Sequence, residues 1–205
     1  MRDPMMQRWV DFVGHRTSLE RALWVYRVIA DHYNQHHRRY HTLEHICQML
    51  DNMERYFPDA TELEILAIWF HDLVYIPGNS ENESQSAWQM AALLRGIFTN
   101  DELIKAGNHI LSTEYHKKKL GPYSAGDRRV HDIDLLSLAI DPDDYDANTL
   151  KIWEELNLSE DAWKSGRKRF IHGMLAQDRI YLTEEIYTWF EHSARSNLQR
   201  ELSRY

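Results

Sequence analysis

The apolar residues of this chain recur with the period of an α-helix along almost its whole length, and this pattern constrains the fold most strongly. Leu19 and Leu23 share one helical face, as do Leu63, Leu66 and Phe70. No segment shows the sustained alternation of apolar and polar residues that a strand requires. Eight glycines and five prolines in 205 residues are few, and they fall where helices are expected to end. The sequence therefore predicts an all-α protein.

The helices can be placed approximately from the same pattern and from the glycines and prolines between them. We predict ten of them, at 5–13, 17–37, 42–56, 60–75, 83–96, 100–113, 127–139, 146–157, 159–177 and 183–202. A chain of 205 residues is long enough to bury a core and short enough for a single domain. We therefore expect residues 1–205 to form one compact multi-helix domain.

The charge balance limits the kinds of partner. Thirty-two acidic residues against 24 Lys and Arg give a net charge of −8, which repels a polyanionic backbone, so long nucleic acid is not an expected partner. A small phosphorylated molecule remains compatible with this charge, because a bound cation reverses the local field that a substrate meets.

Cysteine content and hydropathy indicate the compartment. The lone Cys47 has no partner for an internal disulfide, and residues 1–10 lack the apolar core of a secretory signal. The longest apolar run, at 65–70, is far shorter than the roughly 20 residues needed to span a bilayer. We expect a cytoplasmic protein without a membrane partner. The oligomeric state is not fixed by the sequence, which is compatible with an oligomer.

Three groups among the twelve histidines and the acidic residues are spaced for joint chemistry. His41 and His45 are four positions apart at an expected helix start, so both rings can point into one cavity. A His-Asp pair, His71 and Asp72, follows a strongly apolar stretch, and Asp132-Ile133-Asp134 leads into another. Histidine and aspartate side chains directly beside an apolar segment that must be buried are typical of a ligand-binding site.

Imidazole nitrogen and carboxylate oxygen together favour a divalent metal. Such a mixed set suits Mn, Mg, Zn, Co or Fe and neutralises the ion without thiolate ligands. A bound metal lowers the pKa of a water molecule and stabilises charge on a phosphoryl group, which a phosphohydrolase requires.

The order His45, His71-Asp72, Asp134 resembles the H…HD…D signature of the HD superfamily, whose members are helical and mostly metal-dependent phosphohydrolases. The surrounding segments resemble a small bacterial group of predicted HD phosphohydrolases over residues 38–202; they are RYHTLEHI, AIWFHDLVY, NESQSA, DIDLLSLA and ARSNLQREL. The resemblance implies an HD-type domain with its signature core at about 38–140 and C-terminal helices at 146–202 packed on that core.

The resemblance also implies roles for individual residues. His45, His71, Asp72 and Asp134 match the metal ligands for one or two ions, and Asp72 is the natural bridge between two ions because a carboxylate has two oxygens. The segment YHTLEH is similar to the YHxxxH segment of cyclic-nucleotide phosphodiesterases, which makes His41 the general acid. From the residues alone, the roles of His41 and His45 are interchangeable.

Four further residues are candidates. Glu83, in the Asn82-Glu83 pair, is a candidate catalytic residue that would orient a ligand or water. Alternatively, it has only a structural role, as a glutamate in the first turn of a helix that the helix dipole favours. His109 and His116 are candidates for substrate binding or, as in some HD proteins, for a second ion. Arg167 is a candidate phosphate contact, because a guanidinium fork fits phosphoryl oxygens.

The sequence therefore predicts a metal-dependent phosphohydrolase in which metal-activated water attacks a phosphate ester, with a nucleotide or related small compound as the expected substrate. Two alternatives stay open. In a di-iron oxygenase His109 and His116 would be ligands, and a catalytically silent module would bind a nucleotide or a partner and keep metal for stability alone.

Overall fold

A computed structural model of the protein describes residues 3–115 and 122–205. Within these ranges the chain is all-α, as predicted, with no strand. The helices are α1 (Pro4–Val13), α2 (Leu19–Tyr33), α3 (Leu43–Tyr56), α4 (Glu62–Phe70), α5 (Asn82–Leu94), α6 (Asn100–Leu111), α7 (Ala125–Asp134), a 3₁₀-helix η1 (Leu135–Ala139), α8 (Pro142–Leu156), α9 (Glu160–Leu175) and α10 (Glu184–Leu202).

Several helix starts follow directly from the local sequence. Three helices begin with a capping box, in which a hydroxyl side chain accepts from the third helical N–H and the acidic side chain at that position bonds back to the cap backbone. These boxes are Thr61 with Glu64 at α4, Thr99 with Glu102 at α6, and Ser124 with Asp127 at α7. Each satisfies N–H groups that the helix leaves without an internal partner.

Helix α4 is the centre of the domain. Every residue from Leu66 to Phe70 is fully buried, in keeping with a segment that is apolar on all sides. Helices α3, α5, α6 and α7 pack around it. The residues that directly follow α4 are therefore held by the most rigid part of the fold.

The C-terminal helices pack on this core and complete one compact domain. Helix α10 lies along η1 and against α9, and α8 also contacts η1. The side-chain amide of Asn197 donates to the carbonyl oxygens of Leu138 (3.0 Å) and Ile140 (2.9 Å), which fixes the end of η1. In the described part of the chain, no helix has the length and hydropathy needed to cross a membrane.

Three predicted helices end or divide differently in the structure. Helix α4 ends at Phe70, where the sequence predicted a helix to 75, and α2 ends at Tyr33, where it predicted 37. The predicted helix at 127–139 is divided into α7 and η1 at Asp134. Two of these three differences place a predicted site residue at the end of an element, because His71 follows α4 and Asp134 closes α7.

Candidate metal centre

The turn after α4 positions His71 through the last carbonyl groups of that helix. A helix end leaves its final carbonyls without internal partners. Here Nδ1 of His71 bonds the Ile68 carbonyl at 3.0 Å, and the Tyr33 hydroxyl donates to the Trp69 carbonyl at 3.1 Å. The helix ends at Phe70 because side chains satisfy these carbonyls, and the ring of His71 is fixed with its Nε2 atom pointing away from the helix.

Asp134 comes from the junction of α7 and η1. Its Oδ1 atom lies 3.1 Å from Nε2 of His45 and 3.6 Å from Nε2 of His71. Its Oδ2 atom accepts a 2.6 Å hydrogen bond from the hydroxyl of Tyr115. One carboxylate oxygen is thus held by the protein, while the other faces the two imidazoles.

His45, on α3, completes a group of three ligands from three separate elements. One ligand atom each of His45, His71 and Asp134 lies within 4.8 Å of the other two. His45 and His71 are both buried. The structure therefore brings these three residues together as predicted, in a group that could hold a metal ion.

Asp72 adds a second carboxylate beside His71, with Oδ2 lying 3.0 Å from Nε2. Because Nδ1 of His71 donates to the Ile68 carbonyl, a neutral ring carries its lone pair on Nε2. That atom is buried and has no hydrogen-bond partner of acceptable geometry among the described residues. A lone pair facing two carboxylates requires a positive charge between them, either a second proton on the ring or a cation. The donor set therefore fits a divalent metal.

The pKa shifts in this cluster agree with the need for a positive charge between the two carboxylates. Burial lowers the pKa of His71, but the charges of Asp72 and Asp134 outweigh burial and hold that pKa well above its ordinary value. Burial raises the pKa of Asp134, whereas His71 and His45 pull it well below its ordinary value. The two carboxylates therefore stay ionised and attract a cation at neutral pH.

His41 does not belong to this group and is held instead by Glu155. Nδ1 of His41 donates to Oε2 of Glu155 at 2.6 Å. The other oxygen, Oε1, accepts from the backbone N–H groups of Arg39 (2.6 Å), Tyr40 (2.8 Å) and His41 (2.9 Å). An ionised carboxylate only accepts, so a proton lies on Nδ1, and Nε2 of His41 is the ring nitrogen that Glu155 leaves available.

Burial raises the pKa of Glu155, but the hydrogen bond and the charge of His41, with the backbone N–H groups, lower it to about 2. For His41, burial lowers the pKa, while Asp72 and then Glu155 raise it, and the net direction is upward. The pair therefore favours an ionised glutamate and a protonated imidazole.

A buried arginine joins the segment of His41 to the turn of His71 and Asp72. The guanidinium of Arg38 donates to the carbonyl oxygens of His41 (3.0 Å), Asp72 (2.8 Å) and Leu73 (2.9 Å). Tyr75 stacks on the His41 ring, with centroids 4.3 Å apart. These contacts fix the position of the His41 imidazole relative to the predicted ligands.

Sequence reasoning missed Glu155 and Tyr115. Glu155 falls on a polar face of α8, with Asp144, Asn148 and Lys151 at helical spacing, so the periodicity does not distinguish it. Its partner lies more than a hundred residues away, so the pairing could not be predicted. No local pattern distinguishes Tyr115.

The other predicted site residues lie elsewhere. Nδ1 of His109 bonds Oδ1 of Asp127 at 2.8 Å, and its ring packs at the start of α7, where a Cβ added to Gly126 would lie 2.6 Å from it. His109 is therefore not brought to the His/Asp group. Glu83 lies in the first turn of α5 and lines a neighbouring cavity beside Tyr115. His116 lies outside the described residues.

Arg167 is buried and its charge is already paired. Its Nε atom lies 2.9 Å from Oε1 of Glu201, its Nη2 atom lies 3.0 Å from Oε2, and Nη2 also donates to the Tyr145 hydroxyl at 3.1 Å. This geometry does not support the predicted phosphate contact, because the guanidinium fork is occupied by a carboxylate.

Asp132 is turned away from the group. It accepts from the backbone N–H groups of Leu182 (2.8 Å) and Thr183 (2.7 Å), and it thereby anchors the start of α10. Of the two carboxylates in the Asp132-Ile133-Asp134 segment, Asp134 faces His45 and His71, whereas Asp132 lies 3.0 Å from Nδ1 of His131.

A cavity of about 320 Å³ opens onto this site. Both His41 and Asp134 line it, together with Tyr40 and Tyr115. The volume is at the lower end of the roughly 300–1,000 Å³ of ligand pockets. The candidate metal centre therefore has adjoining space for a small molecule. Comparison of the chain with protein-family models, with curated proteins and with solved structures gave no match.

Proposed function

We propose that this protein is a metal-dependent phosphohydrolase of the HD type that hydrolyses a phosphate ester of a small molecule. The observation that carries the proposal is one arrangement of side chains. Ligand atoms of His45, His71 and Asp134 lie within 4.8 Å of one another, Asp72 lies 3.0 Å from His71, and the four follow the order of the H…HD…D signature. A nucleotide or a related compound remains the expected substrate, and that expectation comes from the resemblance.

The residues divide into two tasks. His45, His71, Asp72 and Asp134 would hold one divalent cation or two, which when bound lowers the pKa of a coordinated water and neutralises phosphoryl charge. Tyr115 keeps the second oxygen of Asp134 occupied, so that Oδ1 faces the ion.

His41 supplies the proton. Glu155 fixes its Nδ1–H, and the ring lines the cavity, so Nε2 can donate to the oxygen of the departing group. Asp72 and Glu155 raise the pKa of His41 against the effect of burial, which favours the protonated form. This division assigns His45 to the metal and His41 to acid catalysis.

The hydrolase is favoured over its two rivals by particular contacts. A di-iron oxygenase was predicted to use His109, whose ring packs against Gly126 at the start of α7 and does not join the group of His45, His71 and Asp134. A silent module would need metal for stability only. The buried Glu155 holding an imidazole at the cavity favours turnover, because a purely structural ion does not require a proton donor beside it.

The test is elemental analysis of protein purified without chelator, followed by a phosphoester screen with Mn, Mg, Co, Zn and Fe. We expect phosphate release with at least one metal. His41→Ala should retain the metal and lose turnover by about 10²-fold or more, whereas Asp134→Asn should lose the metal. His172→Ala, on the exposed side of α9, is the matched control and should change neither. Full activity of the His41 variant, or no phosphate release with any metal, would overturn the proposal.

A further inference from the structure

The cavity beside the metal centre has a mainly apolar wall. It extends from His41 and Asp134 into the space between η1, α8 and α9. Most of the side chains that form this wall are aliphatic or aromatic; six of them are Leu135, Leu138, Ile152, Leu156, Trp163 and Phe170. An apolar group placed there would be removed from water on binding, which is favourable in proportion to the area it buries.

The polar groups of the wall are neutral or already paired. Ser137, Asn148 and Thr149 offer hydroxyl and amide groups without charge. Arg167 is the guanidinium among the described lining residues, and Glu201 neutralises it at 2.9 Å. In the described wall between η1, α8 and α9, the polar groups are therefore uncharged or paired, which suits an apolar group of the substrate.

The acid catalyst fixes which part of the substrate enters the cavity. His41 would protonate the oxygen of the departing group, so that group must lie beside Nε2 of His41, and His41 lines this cavity. The phosphoryl group would then lie toward Asp134 and the departing group along the apolar wall.

We propose, resting on the proposed function, that the substrate is a phosphate ester whose leaving group is apolar, such as a branched or cyclic alkyl alcohol, in place of the nucleotide that the resemblance suggests. In the reaction the bond between phosphorus and the leaving oxygen breaks while an oxygen of water bonds to phosphorus. His41 gives its proton to the leaving alcohol, and the proton released by water restores His41.

Two glycines of α9 provide a matched pair of variants. Gly166 lies in the cavity wall, and a Cβ added there would meet no atom within 4 Å. Gly173, two turns further along the same helix, is equally open but lines only the neighbouring cavity. Gly166→Leu should fill the proposed leaving-group space without backbone strain, and Gly173→Leu should leave it open.

The activity test compares esters whose alcohols have similar reactivity, so that differences report binding. We expect kcat/KM for cyclohexylmethyl phosphate to exceed that for ethyl phosphate by about tenfold or more, since one methylene in an apolar pocket is worth about 10–200-fold. Gly166→Leu should remove this preference, while Gly173→Leu should preserve it. Equal kcat/KM for the two esters, or loss of the preference in both variants alike, would overturn the inference.

A binding measurement separates this inference from the proposed function. Titration calorimetry with cyclohexylmethylphosphonate and methylphosphonate needs no turnover. If no ester is hydrolysed, the proposed function fails. The apolar site would still be supported if the cyclohexyl compound binds tenfold more tightly than methylphosphonate and Gly166→Leu abolishes this difference. If the two phosphonates bind equally well, the apolar site is wrong whether or not esters are hydrolysed.

Discussion

The Nδ1 atom of His41 donates a 2.6 Å hydrogen bond to Glu155, a residue 114 positions further along the chain. The carboxylate that accepts it is fully buried and is held by three successive backbone N–H groups. Such a site fixes both the tautomer and the orientation of the imidazole. Several properties of the protein should therefore depend on a residue that the sequence did not single out.

Replacement of Glu155 by glutamine should lower kcat by about 10²-fold while the metal content stays unchanged. The charge of Glu155 contributes to the raised pKa of His41, so its loss should also move the alkaline limb of the pH–rate profile to lower pH. The control is Glu154→Gln, at the exposed neighbouring position. An unchanged pH profile would show that the glutamate does not act through His41.

The same variant should reveal a pH-dependent contribution to stability. The pKa of Glu155 is lowered to about 2 in the folded protein, so its stabilisation is present above the ordinary value of 4.5 and is lost as the pH falls toward 2. We expect Glu155→Gln to lower the free energy of unfolding at pH 7 by about 1–3 kcal/mol and by less at pH 3. Urea denaturation at both pH values measures this, and an equal difference at pH 7 and pH 3 would contradict it.

Tyr115 should tune metal affinity without binding the metal itself. Its hydroxyl donates to Oδ2 of Asp134 at 2.6 Å, and loss of a partner that orients a ligand typically costs about 10–100-fold in affinity. Tyr115→Phe should weaken metal binding by about tenfold in a competition assay with a chromophoric chelator. Tyr187→Phe on α10 is the control and should leave the affinity unchanged, so equal affinities for the two variants would count against this role.

Arg38 should be important for stability because it holds three carbonyl groups at once. Its guanidinium is 4% exposed and bonds the carbonyls of His41, Asp72 and Leu73. Arg38→Met should lower the free energy of unfolding by about 2–4 kcal/mol, since buried acceptors lose charged donors. Arg39→Met, at an exposed position, should cost less than about 1 kcal/mol. Chemical denaturation of both variants decides whether the two positions differ.

Two glycines should respond to alanine in opposite ways. Gly173 is helical and open, so Gly173→Ala should stabilise the protein by about 0.5–1 kcal/mol. At Gly126 a Cβ would lie 2.6 Å from Cε1 of His109, so Gly126→Ala should be destabilising. Thermal unfolding of the two variants should shift in opposite directions, and a shift of the same sign would show that the His109 ring moves aside freely.

The helices and the ligands were readable from the sequence because they depend on local patterns. Periodicity, with the glycines and prolines between the helices, predicted the helices, and the apolar stretch before His71 indicated that this residue follows a buried element. The convergence of His45, His71 and Asp134 was predicted from the family order of the motifs. The end of α4 was placed too late, because Tyr33 and His71 cap its carbonyls from positions that periodicity does not register.

Contacts between distant elements were not readable. The pairing of Arg167 with Glu201 depends on how α9 and α10 pack, and it removed a predicted phosphate contact. His109 was grouped with the site because some HD proteins use further histidines for a second ion, while its bond to Asp127 follows from the approach of α6 and α7 at Gly126. Buried charged pairs of this kind require the angle between helices, which a single sequence does not supply.

The central claim is that His45, His71 and Asp134 share one cation, and anomalous diffraction at the absorption edge of the metal found by elemental analysis measures this directly. We predict an anomalous peak about 2.0–2.2 Å from Nε2 of His45, from Nε2 of His71 and from Oδ1 of Asp134, with Asp72 beside it. A fully loaded crystal in which the ion lies elsewhere, or in which His45 and Asp134 contact only each other, would contradict the account.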